Sequence, residues 1–261
     1  MEIALDPFIP SYGGGLGILA GDMLRSAADL ELPIAAVTLA YRKGYFRQHL
    51  NADGIQTEEP DPWNPEDLLR SVEATFTVHI EDREVKVRAW RYNIHGMSGF
   101  VVPVYLLDTD LPENSEWDRT LTDSLYGGDQ HYRICQEALL GMGGVNLLRS
   151  VDASPNSFHM NEGHAAFLTL ALLEEQLKVR RYTVPVEADV EAVRRRCVFT
   201  THTPVEAGHD RFSWDLVRRV LGESRTALLQ QSGFAAESEL NMTNLAIHFS
   251  RYVNGVAMRH G

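Results

Sequence analysis

SYGGGLGILAGDMLRSAADLELPIAAVTLAY, residues 11–41, holds three local patterns in succession. Gly13, Gly14 and Gly15 come first, and without Cβ atoms they let the backbone turn freely and bare its amides. Leu16, Leu19, Met23, Ala27 and Leu30 then recur at steps of three and four residues, the period of an amphipathic helix. Pro33 ends that pattern and opens PIAAVTLAY, an apolar run suited to a strand buried on both faces of a parallel sheet. Loop, helix and strand in that order are the grammar of an α/β fold.

Further along, residues 56–65 are acidic and proline-rich and read as a surface loop. TFTVHI (75–80) and EVKVRAW (84–90) alternate across the short polar link Glu81 to Arg83, a β-hairpin signal. FVVPVYLLD (100–108) is extended, and Pro103, which cannot donate to a ladder, places it at a sheet edge or a bulge. Residues 118–149 read as helical with a break at Gly127 and Gly128. Strand and helix then alternate through SFHM, HAAFLTLALLEEQL, CVFTTH and SWDLVRRVL, where Ser213 is placed to cap the last helix. No internal repeat or low-complexity linker interrupts the chain, so the reading is one domain with a hairpin insertion.

The chain has 261 residues, 44% hydrophobic and 23% charged, which suits a folded core and not a disordered segment. Its formal charge of −12 argues against binding nucleic acid or an anionic membrane. No apolar run approaches the roughly 20 residues of a membrane span. Two cysteines, Cys135 and Cys197, are too few for a disulfide framework, and no leader pattern opens the chain; the expected location is cytoplasmic.

Several groups are placed for chemistry. The glycine loop opens a helix, where backbone N–H groups and the helix dipole attract a phosphate. A plain tight turn is the bland alternative. Gly15, Gly17 and Ala20 also fit a dinucleotide fingerprint, but that motif needs a strand just upstream, and DPFIPSY contains Pro7 and Pro10. His202 ends the buried-looking strand CVFTTH, at the carboxyl end where ligands gather in open α/β sheets. Asn161, Glu162 and His164 sit similarly after SFHM, where helix capping and loop hydrogen bonding compete with substrate contact as explanations. His159, Glu162, His164, His202 and His209 include metal-ligand types, but HMNEGH inserts a glycine into the H-x-x-E-H spacing, so no metal site is expected.

GGGLGILAGDMLRSAADLELPIAAVTLAYRKGYFRQHL closely resembles the start of the catalytic core of α-glucan phosphorylases, the glycogen and maltodextrin phosphorylase family. LLDTDLPENSEWDRTLTDSLYGGDQHYRICQEALLG, HMNEGHAAFLTLALLE, FTTHTPVEAGHDRF and NMTNLAIHFSRYVNGVAMRHG resemble further segments of that family, in the family's order. The resemblance implies the GT-B architecture of two Rossmann-like halves with the active site between them. This chain would be an incomplete amino-terminal half, residues 1–261, without the second half, whose lysine binds pyridoxal 5′-phosphate as a Schiff base. By the same resemblance, Gly14, Gly15 and Leu16 match the loop whose backbone faces the substrate phosphate, Gly15 lying near the cofactor phosphate. Asp129 matches an acidic residue of a mobile loop at the site's mouth, and Glu2 a glutamate near the cleft. His202 matches a histidine that hydrogen-bonds the glucosyl residue at the cleavage point. His209 is read as structural.

The implied reaction is phosphorolysis of an α-1,4-glucan by inorganic phosphate to glucose 1-phosphate, by an enzyme that forms homo-oligomers when full-length. The fragment alone is expected to be inactive and marginally soluble. A nucleotide-sugar-dependent GT-B glycogen or starch synthase is the enzymatic alternative, but such enzymes place a lysine two residues before the paired glycines, where this chain has Tyr12. A non-catalytic glucan-binding fragment is the other.

Overall fold

The computed structural model describes residues 1–203, 205 and 208–258. Two of the motifs quoted above run on through residues 204, 206–207 and 259–261, which lie outside the described residues. The fold is mixed α/β, with parallel and antiparallel strands. It divides into two compact units, Met1–Phe76 with Lys86–Gly128, and Thr77–Val85 with Asp129–Gly261.

In the first unit, helix α1 (Gly15–Asp29) follows the glycine loop directly. It buries Gly17, Ala20, Gly21, Leu24, Ala27 and Ala28, whereas Leu19, Met23 and Leu30 are 43–70% exposed. The face expected from hydrophobic spacing is therefore only partly the packed one, with Ala27 buried and Leu16 half-buried. Small residues set the packing: a Cβ on Gly21 would lie 2.2 Å from the Ala4 carbonyl oxygen, so only a glycine lets the amino-terminal segment lie this close. Arg25 fixes that segment by donating to the carbonyls of Ala4 and Leu5 at 3.1 and 2.7 Å.

Strand β1 (Ala36–Leu39) runs parallel to β6 (Val101–Asp108), which pairs antiparallel with β5 (Arg83–His95), and β4 (Arg70–Ile80) lies outside β5. The β4–β5 hairpin is as expected, with Glu81 in the left-handed region at φ 56° in its turn. β6 corrects the edge expectation, since it is interior, between β1 and β5. Pro103 is tolerated because β1 pairs only from Val104 onward, leaving the proline outside the parallel ladder. Part of the expected surface loop is ordered as β3 (Gln56–Glu59), paired with β2 (Arg47–Leu50), with every residue of both strands exposed; α2 (Pro65–Leu68) and α3 (Glu116–Arg119) are single turns. Leu24 and Ala28 of α1 pack against Trp90, Ile94, Val104 and Leu106 of the sheet. Asp108, at the end of β6, is fully buried and accepts from Arg42, Arg88 and Trp90 at 2.8–2.9 Å. Burial pushes its carboxyl up, but those bonds prevail and hold it at about 2.

In the second unit, α4 (Gln130–Ala138) passes through one π-helical turn, Leu139–Gly143, into α5 (Gly144–Ser150). A Cβ on Gly141 would lie 2.6 Å from the Leu168 amide, so the wide turn sits where the backbones nearly touch. Strands β7 (Phe158–Asn161) and β8 (Cys197–Thr201) are parallel, joined by α6 (Phe167–Arg180) and α7 (Glu187–Arg194). β9 (Arg211–Ser213) precedes α8 (Trp214–Leu221), whose first turn Ser213 caps by accepting from the Leu216 amide at 3.3 Å. After α9 (Glu223–Leu229) come β10 (Glu239–Asn241), antiparallel to β9, and α10 (Met242–His248). The last strand, β11 (Tyr252–Gly255), returns parallel to the other side of β8.

Candidate active site

The glycine loop is held from behind. Glu2 is 5% exposed, and its Oε2 accepts from the amides of Gly13 and Gly14 at 2.6 and 3.1 Å, while the Tyr126 hydroxyl donates to Oε1 at 2.7 Å. The Tyr45 ring closes the other side, since a Cβ on Gly13 would meet it at 2.8 Å. Gly14 and Gly15 are exposed, and a Cβ on either would find nothing within 4 Å. The start of a 15-residue helix thus lies open, with Gly15 and Leu16 in its first turn, and the helix dipole favours an anion there. Glu2, expected near a cleft, thus holds the glycine loop by its backbone.

In the second unit the candidates gather at the carboxyl ends of β7 and β8. Glu162 has φ 65° and ψ 174°, a region nearly reserved for glycine that costs about 1–3 kcal/mol. Its carboxylate is 1% exposed, and Oε1 accepts from the amides of His202 and Thr203, the latter at 2.8 Å. The Glu162 amide donates to the Thr200 carbonyl at 2.9 Å, so one strained residue ties both strand ends together and places His202. Next to it, Asn161 has a buried side-chain oxygen without a hydrogen-bond partner among the described residues. His159 Nε2 lies 2.8 Å from Thr200 Oγ1, which bonds Asn254 at 2.9 Å; burial and then the neighbouring His202 press the His159 ring toward its neutral form.

Asp129 is exposed and caps α4 by accepting from the Tyr132 amide at 2.9 Å, a bond that lowers its carboxyl below the usual range. His209 bonds Thr243 Oγ1 at 2.7 Å. His164 lies apart from the Glu162 knot, buried in a cluster with Glu137, Asp210 and Arg133. Among the described residues, Glu137, His164 and Asp210 are also the set with ligand atoms mutually within 4.8 Å, which is not the histidine set weighed from the sequence.

The sequence reading missed Tyr126, Glu137 and Asp210. Glu137 carried a signal, because a carboxylate inside RICQEALLG interrupts an otherwise apolar helix face. Nothing local marks Tyr126 as a partner of Glu2, 124 positions away.

The carbohydrate phosphorylase family model matches residues 10–99. Glycogen phosphorylase of Mycobacterium tuberculosis is 40% identical to this chain, across all of the chain and 32% of the relative. Maltodextrin phosphorylase of Thermococcus litoralis is also 40% identical, with the same shares covered. Glycogen phosphorylase of Aquifex aeolicus is 30% identical over 99% of the chain and 39% of its own length. The chain thus spans about a third of the length of these relatives, and over the whole of its own length it is similar to glycogen and maltodextrin phosphorylases.

Proposed function

We propose that this chain supplies the phosphate-facing and sugar-facing walls of one half of an α-glucan phosphorylase, cytoplasmic and of the two-halved GT-B type, both compact units belonging to the first half. The reaction is the reversible transfer of the terminal glucosyl group of an α-1,4-glucan to inorganic phosphate, giving glucose 1-phosphate. The observation that carries this reading is the open start of α1, where Gly14 and Gly15 leave room for a ligand, in a chain 40% identical to glycogen and maltodextrin phosphorylases.

In this reading the first turn of α1, Gly15 and Leu16, orients the attacking phosphate as it approaches the anomeric carbon, while the amides of Gly13 and Gly14 stay with Glu2. His202 and Asn161 offer hydrogen bonds to sugar hydroxyls, and Glu162 keeps the His202 backbone in place. Asp129 acts at the loop that admits the glucan. Water is disfavoured as the attacking group because the amides are preset for an anion. The family's cofactor, pyridoxal 5′-phosphate, fits this chain through its phosphate alone: the open space over Gly14 and Gly15 admits a phosphate oxygen. When bound, it supplies an acid and base group beside the substrate phosphate.

The full-length protein, incubated with a maltooligosaccharide and phosphate, is expected to release glucose 1-phosphate and a chain one glucose shorter. Free glucose as the product would mean hydrolysis and sink the reading. Glucan binding without any turnover would favour the non-catalytic alternative.

A further inference from the structure

Four ionisable groups meet inside the second unit: Arg133 and Glu137 from α4, His164 from the turn after β7, and Asp210 from the segment before β9. These are the charged and titratable groups that face Glu137 within its unit. Arg133 Nη2 stands 2.5 Å from Asp210 Oδ2 but 3.9 Å from Glu137 Oε1. His164 Nδ1 stands 3.3 Å from Asp210 Oδ2 and 3.6 Å from Glu137 Oε1. Both carboxyl oxygens of Glu137 are buried, neither has a hydrogen-bond donor among the described residues, and the two Nδ1 contacts of His164 are close approaches without hydrogen-bond alignment.

A buried carboxylate that receives no hydrogen bond and faces a second carboxylate is strongly disfavoured as an anion. Arg133 stands much closer to Asp210 than to Glu137, which assigns the ionised carboxylate to Asp210. A ring nitrogen flanked by two carboxyl oxygens carries its proton, because a lone pair there would be repelled. With His164 buried and pressed toward neutrality, its other nitrogen is then bare.

The geometry points to Glu137 as a neutral carboxylic acid that donates to Asp210, and to the Asp210 carboxylate as the charge that favours the Nδ1–H tautomer of His164, whose Nε2 then carries no proton. Glu137 and Asp210 are positioning residues, acting through His164. The functional weight of this tautomer rests on reading His164 as a group that faces substrate; the protonation states do not. In the fully ionised quartet of Arg133, His164, Asp210 and Glu137, Glu137 would need donors that it lacks among the described residues.

Nitrogen-15 spectra of the intact protein labelled at histidine, with H164Q to assign the resonance, test the tautomer without any assay of activity. Infrared spectra of wild type and E137Q test the acid. The expected results are an Nδ1-protonated, Nε2-bare His164 in both wild type and E137Q, and a protonated-carboxyl stretch that E137Q removes. Burial and Asp210 push the Glu137 carboxyl well above its usual range, so wild-type stability is expected to decline as pH rises from about 4 to neutrality and beyond, a slope that E137Q abolishes. An imidazolium, an Nε2–H tautomer, an unchanged infrared spectrum or a chelatable divalent cation bound by these residues would each overturn the proposal. If E137Q does not fold, the wild-type spectra decide alone. Failure of the phosphorolysis assay with the expected spectra would sink the functional reading and leave this inference standing.

Discussion

At the start of α1 the candidate site is made of backbone; at the ends of β7 and β8 it is made of buried side chains. Gly14 and Gly15 leave open space in front, and the one carboxylate involved, Glu2, takes the amides of Gly13 and Gly14 from behind. The strand ends reverse this, because Glu162 sits in a strained conformation so that its buried carboxylate can gather the amides of the neighbouring strand end. An anion needs preset donors with nothing in the way, which glycines provide. A sugar needs a few hydroxyl partners held rigidly, and rigidity there comes from a buried hydrogen-bonded knot.

Glu162→Ala removes the acceptor shared by His202 and Thr203 and is expected to lower stability by about 3 kcal/mol, read by denaturant unfolding. A loss below about 1 kcal/mol would mean that the knot is incidental. Glu2→Ala is expected to cost less, about 2 kcal/mol, because the exposed loop amides can turn to water. Equal losses for the two would erase the contrast between a propped backbone site and a buried one.

Asp108 provides a control outside both regions. Its folded value of about 2 lies below the ordinary 3.8, so its stabilisation is complete above that range and is lost as pH falls toward 2. The loss is roughly 2 kcal/mol, and Asp108→Asn is expected to flatten that acid limb. The smallest effect belongs to Asp129: Asp129→Ala is expected to lower the melting temperature slightly, and Asp129→Asn, which still caps α4, to restore it. A drop with Asn as large as with Ala would show that the charge, and not the cap, matters there.

The elements were legible wherever local period and composition determined them. The hairpin of β4 and β5, the strands β7 and β8 and the Ser213 cap all follow from patterns a few residues long. The buried face of α1 was not, because Gly21 and Ala20 pack by being small, which hydrophobic spacing does not register. Pro103 alone points to a sheet edge or a bulge, yet the length of its neighbour β1 decides whether a proline is tolerated inside the sheet. For the site, the glycine loop was readable because its chemistry is backbone. The contacts Glu2–Tyr126 and Glu137–Asp210 join residues far apart in sequence, and no local pattern announces them.

The division of labour itself is tested most directly by the kinetics of Gly14→Ala in the full-length protein. A methyl at Gly14, the N-cap of α1, meets no atom within 4 Å, so packing is undisturbed and the cost to the fold is confined to a poorer cap. The expected result is a stability loss of no more than about 1 kcal/mol, a phosphate KM raised about tenfold, the equivalent of about 1.4 kcal/mol, and an unaltered glucan KM. An unchanged phosphate KM, or a rise confined to the glucan, would contradict it.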